Sequence, residues 1–171
     1  MSTGLRIFYS AVLLLPGLLY CAFAQSASVE FSLKDLHGKT HTIEKYAGKW
    51  VVVNYWATWC PPCLDEIPEL VEFHDKHKDK DAVVLGVDFE EVDDKYLRRF
   101  VDENFISYPI LKSRPSSRTP FGMIHGLPTT FLISPDGKVI ASKTGGVTKQ
   151  DLEESIEYFK RQELEANNVK K

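Results

Sequence analysis

Apolar and polar positions along this chain fall in blocks whose period switches between two residues and three to four. Val29 to Leu33 alternate, Asp35 to Gly38 supply turn residues and Thr40 to Ile43 return, which predicts an N-terminal β-hairpin. Lys49 to Tyr55 carry a nearly unbroken β-branched and aromatic run, the pattern of a strand buried on both faces. From Pro61 to about His77 the period becomes helical. Cys63, Ile67, Leu70, Val71 and His74 share one stripe, while Asp65, Glu69, Glu72 and Lys76 face water. Pro68 inside that helix removes one backbone hydrogen bond and predicts a kink.

Ala82 to Asp88 reads as a second buried strand, Val92 to Asn104 as an amphipathic helix through Tyr96, Leu97, Phe100 and Val101, and Pro109 to Leu111 as a short strand. Ser113 to Gly126 reads as a loop with a helical turn. Thr129 to Ser134 and Lys138 to Ser142 pair over Pro135-Asp136-Gly137. Thr148 to about Glu165 is a last helix with Leu152, Ile156, Phe159 and Leu164 inward. Strands that alternate with helices and close on a hairpin plus a helix make an α/β fold with a mixed central β-sheet flanked by helices. One domain over residues 26–166 is expected, with a frayed tail at 167–171.

Residues 1–24 follow a different rule. Arg6 is a small positive n-region, Ile7 to Tyr20 are apolar except for Ser10, and Ala22-Phe23-Ala24 offers small residues where a signal peptidase reads. A signal peptide cleaved before Gln25 is expected. The alternative is an uncleaved membrane anchor, the run being slightly shorter than the roughly 20 residues that span a bilayer. Lipoprotein processing at Cys21 is disfavoured by bulky Tyr20. Each reading places the domain outside the cytoplasm, with the periplasm the expected compartment.

A hydrophobic content of 43% and a charged content of 26% describe an ordinary globule, and a net charge of −3 argues against nucleic acid as a partner. Once Cys21 leaves with the signal, Cys60 and Cys63 remain. A bond between them closes too small a loop to staple a fold, so an exported chain that keeps this Cys-x-x-Cys is using it. Cys60 sits where the buried strand ends and a helix begins. Free N–H groups and the helix dipole there lower its pKa, making Cys60 the attacking thiol. Pro61 and Pro62 suit the first helical turn, and Cys63, one turn in and shielded, resolves. A zinc half-site would need further ligands; His74 and His77 lie roughly 16 Å along the helix and cannot supply them, so no metal is expected.

Asn54-Tyr55-Trp56-Ala57-Thr58-Trp59-Cys60-Pro61-Pro62-Cys63, with Glu66 and Pro68, resembles the TlpA/ResA-type (DsbE-like) branch of extracytoplasmic thioredoxin-like proteins. Gly126-Leu127-Pro128-Thr129-Thr130-Phe131 is similar to that branch's cis-proline loop. The resemblance implies a thioredoxin fold with an N-terminal hairpin extension and a thiol–disulfide oxidoreductase acting on cysteines of exported proteins. Its redox group is the Cys60–Cys63 disulfide, with no other cofactor. The implied direction is reduction, often in cytochrome c maturation, with electrons from a membrane thiol–disulfide partner. Pro128 takes the place of the cis-proline that faces the cysteines, and Trp59 that of the aromatic before the nucleophile. Pro61, Pro62 and Leu127 join Trp59 in contacting substrate. Glu66 matches a glutamate implicated in managing the proton of the second cysteine, and its i, i+3 spacing from Cys63 leans it toward that turn. Asn54 stands where general thioredoxins carry a buried Asp.

The chain departs from the branch at Gly122, where an aromatic is common and Phe121 is adjacent, so this loop is expected to be shifted. His125, at the rim, is either a substrate contact or a solvated loop histidine. Two alternatives remain. A thiol peroxidase on the same fold would carry Thr and Pro where this chain has Ala57 and Val53. A non-enzymatic binding module would hold Cys60–Cys63 as an inert disulfide.

Overall fold

The computed structural model describes residues 29–169; the expected signal peptide, with Cys21, lies outside the described residues. Strands β1 (Ser32–Lys34) and β2 (Thr40–Thr42) form the N-terminal hairpin, followed by a 3-10 turn at Ile43–Tyr46. Buried His41 ties this hairpin to that turn: its Nδ1 lies 2.5 Å from the Tyr46 hydroxyl, and its Nε2 lies 2.9 Å from Asp35 Oδ2. The main sheet contains β3 (Trp50–Trp56), β4 (Ala82–Asp88), β5 (Ile110–Lys112), β8 (Thr129–Ile133) and β9 (Val139–Thr144), in the order β5-β4-β3-β8-β9. The β3–β4 and β4–β5 pairs are parallel, while β3–β8 and β8–β9 are antiparallel, so the sheet is mixed as its sequence pattern predicts.

Every residue of β3 and β4 is buried, which explains their unbroken apolar runs. One core cluster joins Trp50, Val52 and Trp56 of β3 to Ile67, Leu70 and Phe73 of α1 (Pro61–His77). Leu97 of α2 (Asp94–Glu103) and Leu152 and Ile156 of α3 (Lys149–Val169) complete it. The alternate residues Val51, Val53 and Tyr55 pack on Phe31, Ile43, Phe121 and Ile124. Period-two alternation thus assigns one face to the helices and the other to the N-terminal extension and the 121–124 segment.

Several expectations are corrected. Residues 113–126 form a small hairpin, β6 (Arg118–Thr119) with β7 (Gly122–Met123), in place of a helical turn. The Thr119 hydroxyl donates to Gly122 O at 2.8 Å and accepts from Phe121 and Gly122 N–H, which closes the turn locally. Gly122, at φ +148°, has a backbone that side-chain-bearing residues rarely adopt. Tyr96 and Leu164 are exposed, while α3 continues to Val169 instead of stopping near Glu165. Pro68 lies exposed inside α1, which continues to His77. Its inward stripe includes Phe73 and Glu66, while Val71 is only half-buried.

Candidate active site

The site forms where β3 hands over to α1. Cys60 is the N-cap of α1 in an extended conformation, Pro61 and Pro62 open the helix, and Cys60 and Cys63 are joined by a disulfide. The prolines bring no N–H, and the next two amides, of Cys63 and Leu64, both donate to the Cys60 carbonyl at 3.0 and 3.1 Å. In the disulfide form the first free amides of α1 are thus engaged with the Cys60 carbonyl. The helix dipole remains, with a typical effect of about 0.3–1 kcal/mol.

Cys60 lines an open surface groove of about 670 Å³, and Cys63 does not. Trp59, Pro61, Pro62, His125 and Leu127 line the same groove, so five rim residues singled out from the sequence meet there. Trp59 is 65% exposed and presents its indole at this rim. Pro128 follows Leu127 through a cis peptide bond and is buried behind the lining.

Glu66 follows Cys63 by three residues on α1 and is 3% exposed. Its Oε1 accepts a hydrogen bond from Asn54 Nδ2 at 2.7 Å, and its Oε2 accepts one from the Val147 N–H at 2.8 Å. Asn54 Nδ2 also donates to Thr130 Oγ1 at 3.0 Å, across the β3–β8 register. Burial pushes the Glu66 carboxyl up to about 7, against the opposing pull of the Val147 and Asn54 hydrogen bonds and the Lys143 charge. Gly146 lies against both Glu66 Oε2 and the Pro62 carbonyl.

Sequence reasoning missed the wall formed after β4. Asp88 is fully buried, and neither carboxylate oxygen completes a hydrogen bond of normal geometry. Burial pushes its pKa up to about 7, reinforced by the charge of Glu90 and opposed by that of Lys112. An aspartate closing the apolar run Val83–Val87 was the available signal. Glu90 Oε1 accepts from Thr58 N–H at 2.6 Å, and Phe89 N–H donates to Trp56 O at 2.9 Å, so this loop holds the turn that presents Trp59 and Cys60.

A folded pKa above the unfolded one means that Asp88 favours the fold at low pH. That contribution is lost as pH rises through about 7. Asp88→Asn should therefore gain roughly 2–4 kcal/mol over wild type between pH 4 and pH 8 in urea unfolding. Parallel pH profiles for the two proteins would contradict this assignment.

His74 and His77 are each engaged with other parts of the protein. His74 is buried, its Nδ1 accepts from Val84 N–H at 3.1 Å, and burial lowers its pKa to about 4. His77, expected to be solvated, is half-buried between Asp81 and Glu153. Among the described residues no group of three or more His, Cys, Asp or Glu side chains is arranged to hold a metal ion.

Residues 24–142 match the AhpC/TSA family. The chain is 34% identical over 139 residues to the thiol–disulfide oxidoreductase ResA of Halalkalibacterium halodurans, covering 81% of this chain and 78% of that one. A DsbF homologue from Corynebacterium diphtheriae superposes with a TM-score of 0.68 at 26% identity, over 88% of this chain and 99% of that one. The exposed lipoprotein thioredoxin of Streptococcus pneumoniae gives 0.65 at 26% identity, over 75% and 98%.

Proposed function

The chain belongs to the AhpC/TSA family, among its ResA-type thiol–disulfide oxidoreductases, and from that premise we propose that it reduces disulfides in exported proteins through Cys60 and Cys63. The observation that carries this reading is the asymmetry of the pair: both cysteines are nearly buried, at 3% and 1% exposed, but Cys60 lines the groove and Cys63 does not.

In the forward step the Cys60 thiolate attacks one sulfur of a client disulfide, whose S–S bond breaks as a mixed disulfide forms. Cys63, deprotonated, then attacks Cys60 Sγ, forming the Cys60–Cys63 disulfide and releasing the client as a dithiol. Two electrons pass to the client. The protonation state of Glu66 changes near neutrality, which suits it to take the Cys63 proton as that thiol attacks. Trp59, Pro61, Pro62 and Leu127 supply apolar contact to an extended client, His125 borders it, and Pro128 backs the wall. A membrane thiol–disulfide protein returns the electrons, in a setting like cytochrome c maturation. An extracytoplasmic location is supported by the N-terminal pattern and by the exposed lipoprotein relative.

A peroxidase reading is disfavoured by Ala57 and Val53, where such enzymes carry Thr and Pro. Equilibration with a dithiothreitol or glutathione buffer tests the direction. A reductant lies near the thioredoxin end, about −270 mV, and a potential near the DsbA end, about −120 mV, would make the protein an oxidant instead.

A further inference from the structure

The 113–126 segment, where the chain departs most from its sequence expectation, builds a second hollow beside the first. This one, of about 340 Å³, is floored by Tyr55 and bordered by Arg114 and Arg118. Phe89 and Ser116 line both hollows, so the two form one continuous surface running from Cys60 to the arginines. Both arginines are exposed, and neither forms an ion pair among the described residues. By contrast, Arg98 is bonded to the Leu36 carbonyl, and Arg99 pairs with Glu103.

The neighbouring negative charges do not cancel this pair. Glu30 borders the same hollow and offsets one of the two positive charges. Neither Glu90, whose carboxylate holds the Thr58 amide, nor Glu91 lines either hollow. Lys112 is paired with Asp94 and adds nothing. The hydroxyls of Ser113, Ser116 and Thr119 are bonded to backbone carbonyls, and the two guanidinium groups are the positively charged donors of this hollow.

We infer that Arg114 and Arg118 form a specificity subsite that selects client polypeptides with acidic side chains beside the reacting cysteine. The inference rests on the thiol–disulfide reading above and deepens it. A polypeptide is the occupant because the surface is open and continuous with the Cys60 groove. Arg suits the task because its planar fork holds a carboxylate through two parallel hydrogen bonds.

The test uses reduced protein and peptides of one length, each with a single cysteine capped by thionitrobenzoate and flanked by acidic, neutral or basic residues. Attack by Cys60 on the peptide sulfur releases the coloured thiolate, and Cys63 then frees the peptide thiol. The acidic peptide should react about three- to tenfold faster than the neutral one at low salt, with the advantage shrinking as salt rises. R114S/R118S should bring the ratio below about twofold, and R114E/R118E should shift the preference to the basic peptide. The neutral peptide should react at the same rate throughout. An acidic-to-neutral ratio unchanged in R114E/R118E, with the neutral peptide still reacting, would overturn the subsite alone. A wild type that turns over none of the peptides overturns the exchange reading and the subsite with it.

Discussion

Cys60→Ser is expected to abolish disulfide exchange, by at least about a thousandfold, whereas Cys63→Ala should attack once and stall as a mixed disulfide on Cys60. The difference follows from position. Cys60 caps α1 and lines the groove, and Cys63 does not line it. In the disulfide form both are nearly buried, at 3% and 1% exposed, so it is the Cys60 sulfur on the groove side that a client meets first. A serine hydroxyl in place of the Cys60 thiol has no accessible anion near neutral pH and no disulfide chemistry. With Cys63 removed, the intermediate has no internal nucleophile to resolve it. Turnover of a fluorescent peptide disulfide measures the first loss, and non-reducing gels show the trapped adduct. A Cys60→Ser protein that retains turnover, or a Cys63→Ala protein that traps nothing, would reverse the assigned roles.

The second large effect concerns Glu66. Its carboxyl, raised to about 7 chiefly by burial, gains its negative charge in the pH range where thiols also begin to ionise. A buried carboxylate near the cysteines disfavours the thiolates, so removing its charge should move the alkylation profile of the reduced protein to lower pH. Glu66→Gln should give a shift on the order of one pH unit, expressed in pKa values that belong to the coupled groups together. The control must be chosen from the structure. Glu69 is unsuitable: it is half-buried and accepts the Lys149 N–H at 2.9 Å, although helical spacing alone reads it as solvated. Asp65 is exposed, and Asp65→Asn should leave the profile in place. A Glu66→Gln profile that coincides with both wild type and Asp65→Asn would reduce Glu66 to a structural role.

The folding energy of Glu66 has the same origin and a definite sign. With the folded pKa above the unfolded value of about 4.5, stability from this group is complete at low pH and is lost as pH rises through about 7. The two buried acids, Glu66 and Asp88, therefore act in the same direction. His74, held neutral by burial, opposes them below its unfolded pKa, and with two acids against one histidine wild type should be less stable at pH 8 than at pH 5.

Strong periodicity made the central elements legible. Helix α1 and strand β4 fall at their expected residues because buried strands and a one-sided helix leave unambiguous patterns. The β6–β7 hairpin was not legible: its strands are two residues long, too short for alternation, and its turn depends on the Thr119 hydroxyl. The cysteines and the groove rim could be read because they cluster in two short motifs. The environment of Glu66 could not, since its partner Val147 is 81 residues away in sequence and reaches it only through the fold. Leu164 was misassigned because helical spacing continues past the point where α3 has a neighbour to pack against, leaving that side chain 65% exposed.

The order in which the two reduced cysteines are alkylated tests the central claim most directly. Fully reduced protein is treated with limiting iodoacetamide at mildly alkaline pH, and peptide mass spectrometry follows each site over time. The groove-facing position of Cys60 and the dipole of α1 predict that Cys60 is modified first and Cys63 lags behind. Modification of Cys63 ahead of Cys60 would contradict the account.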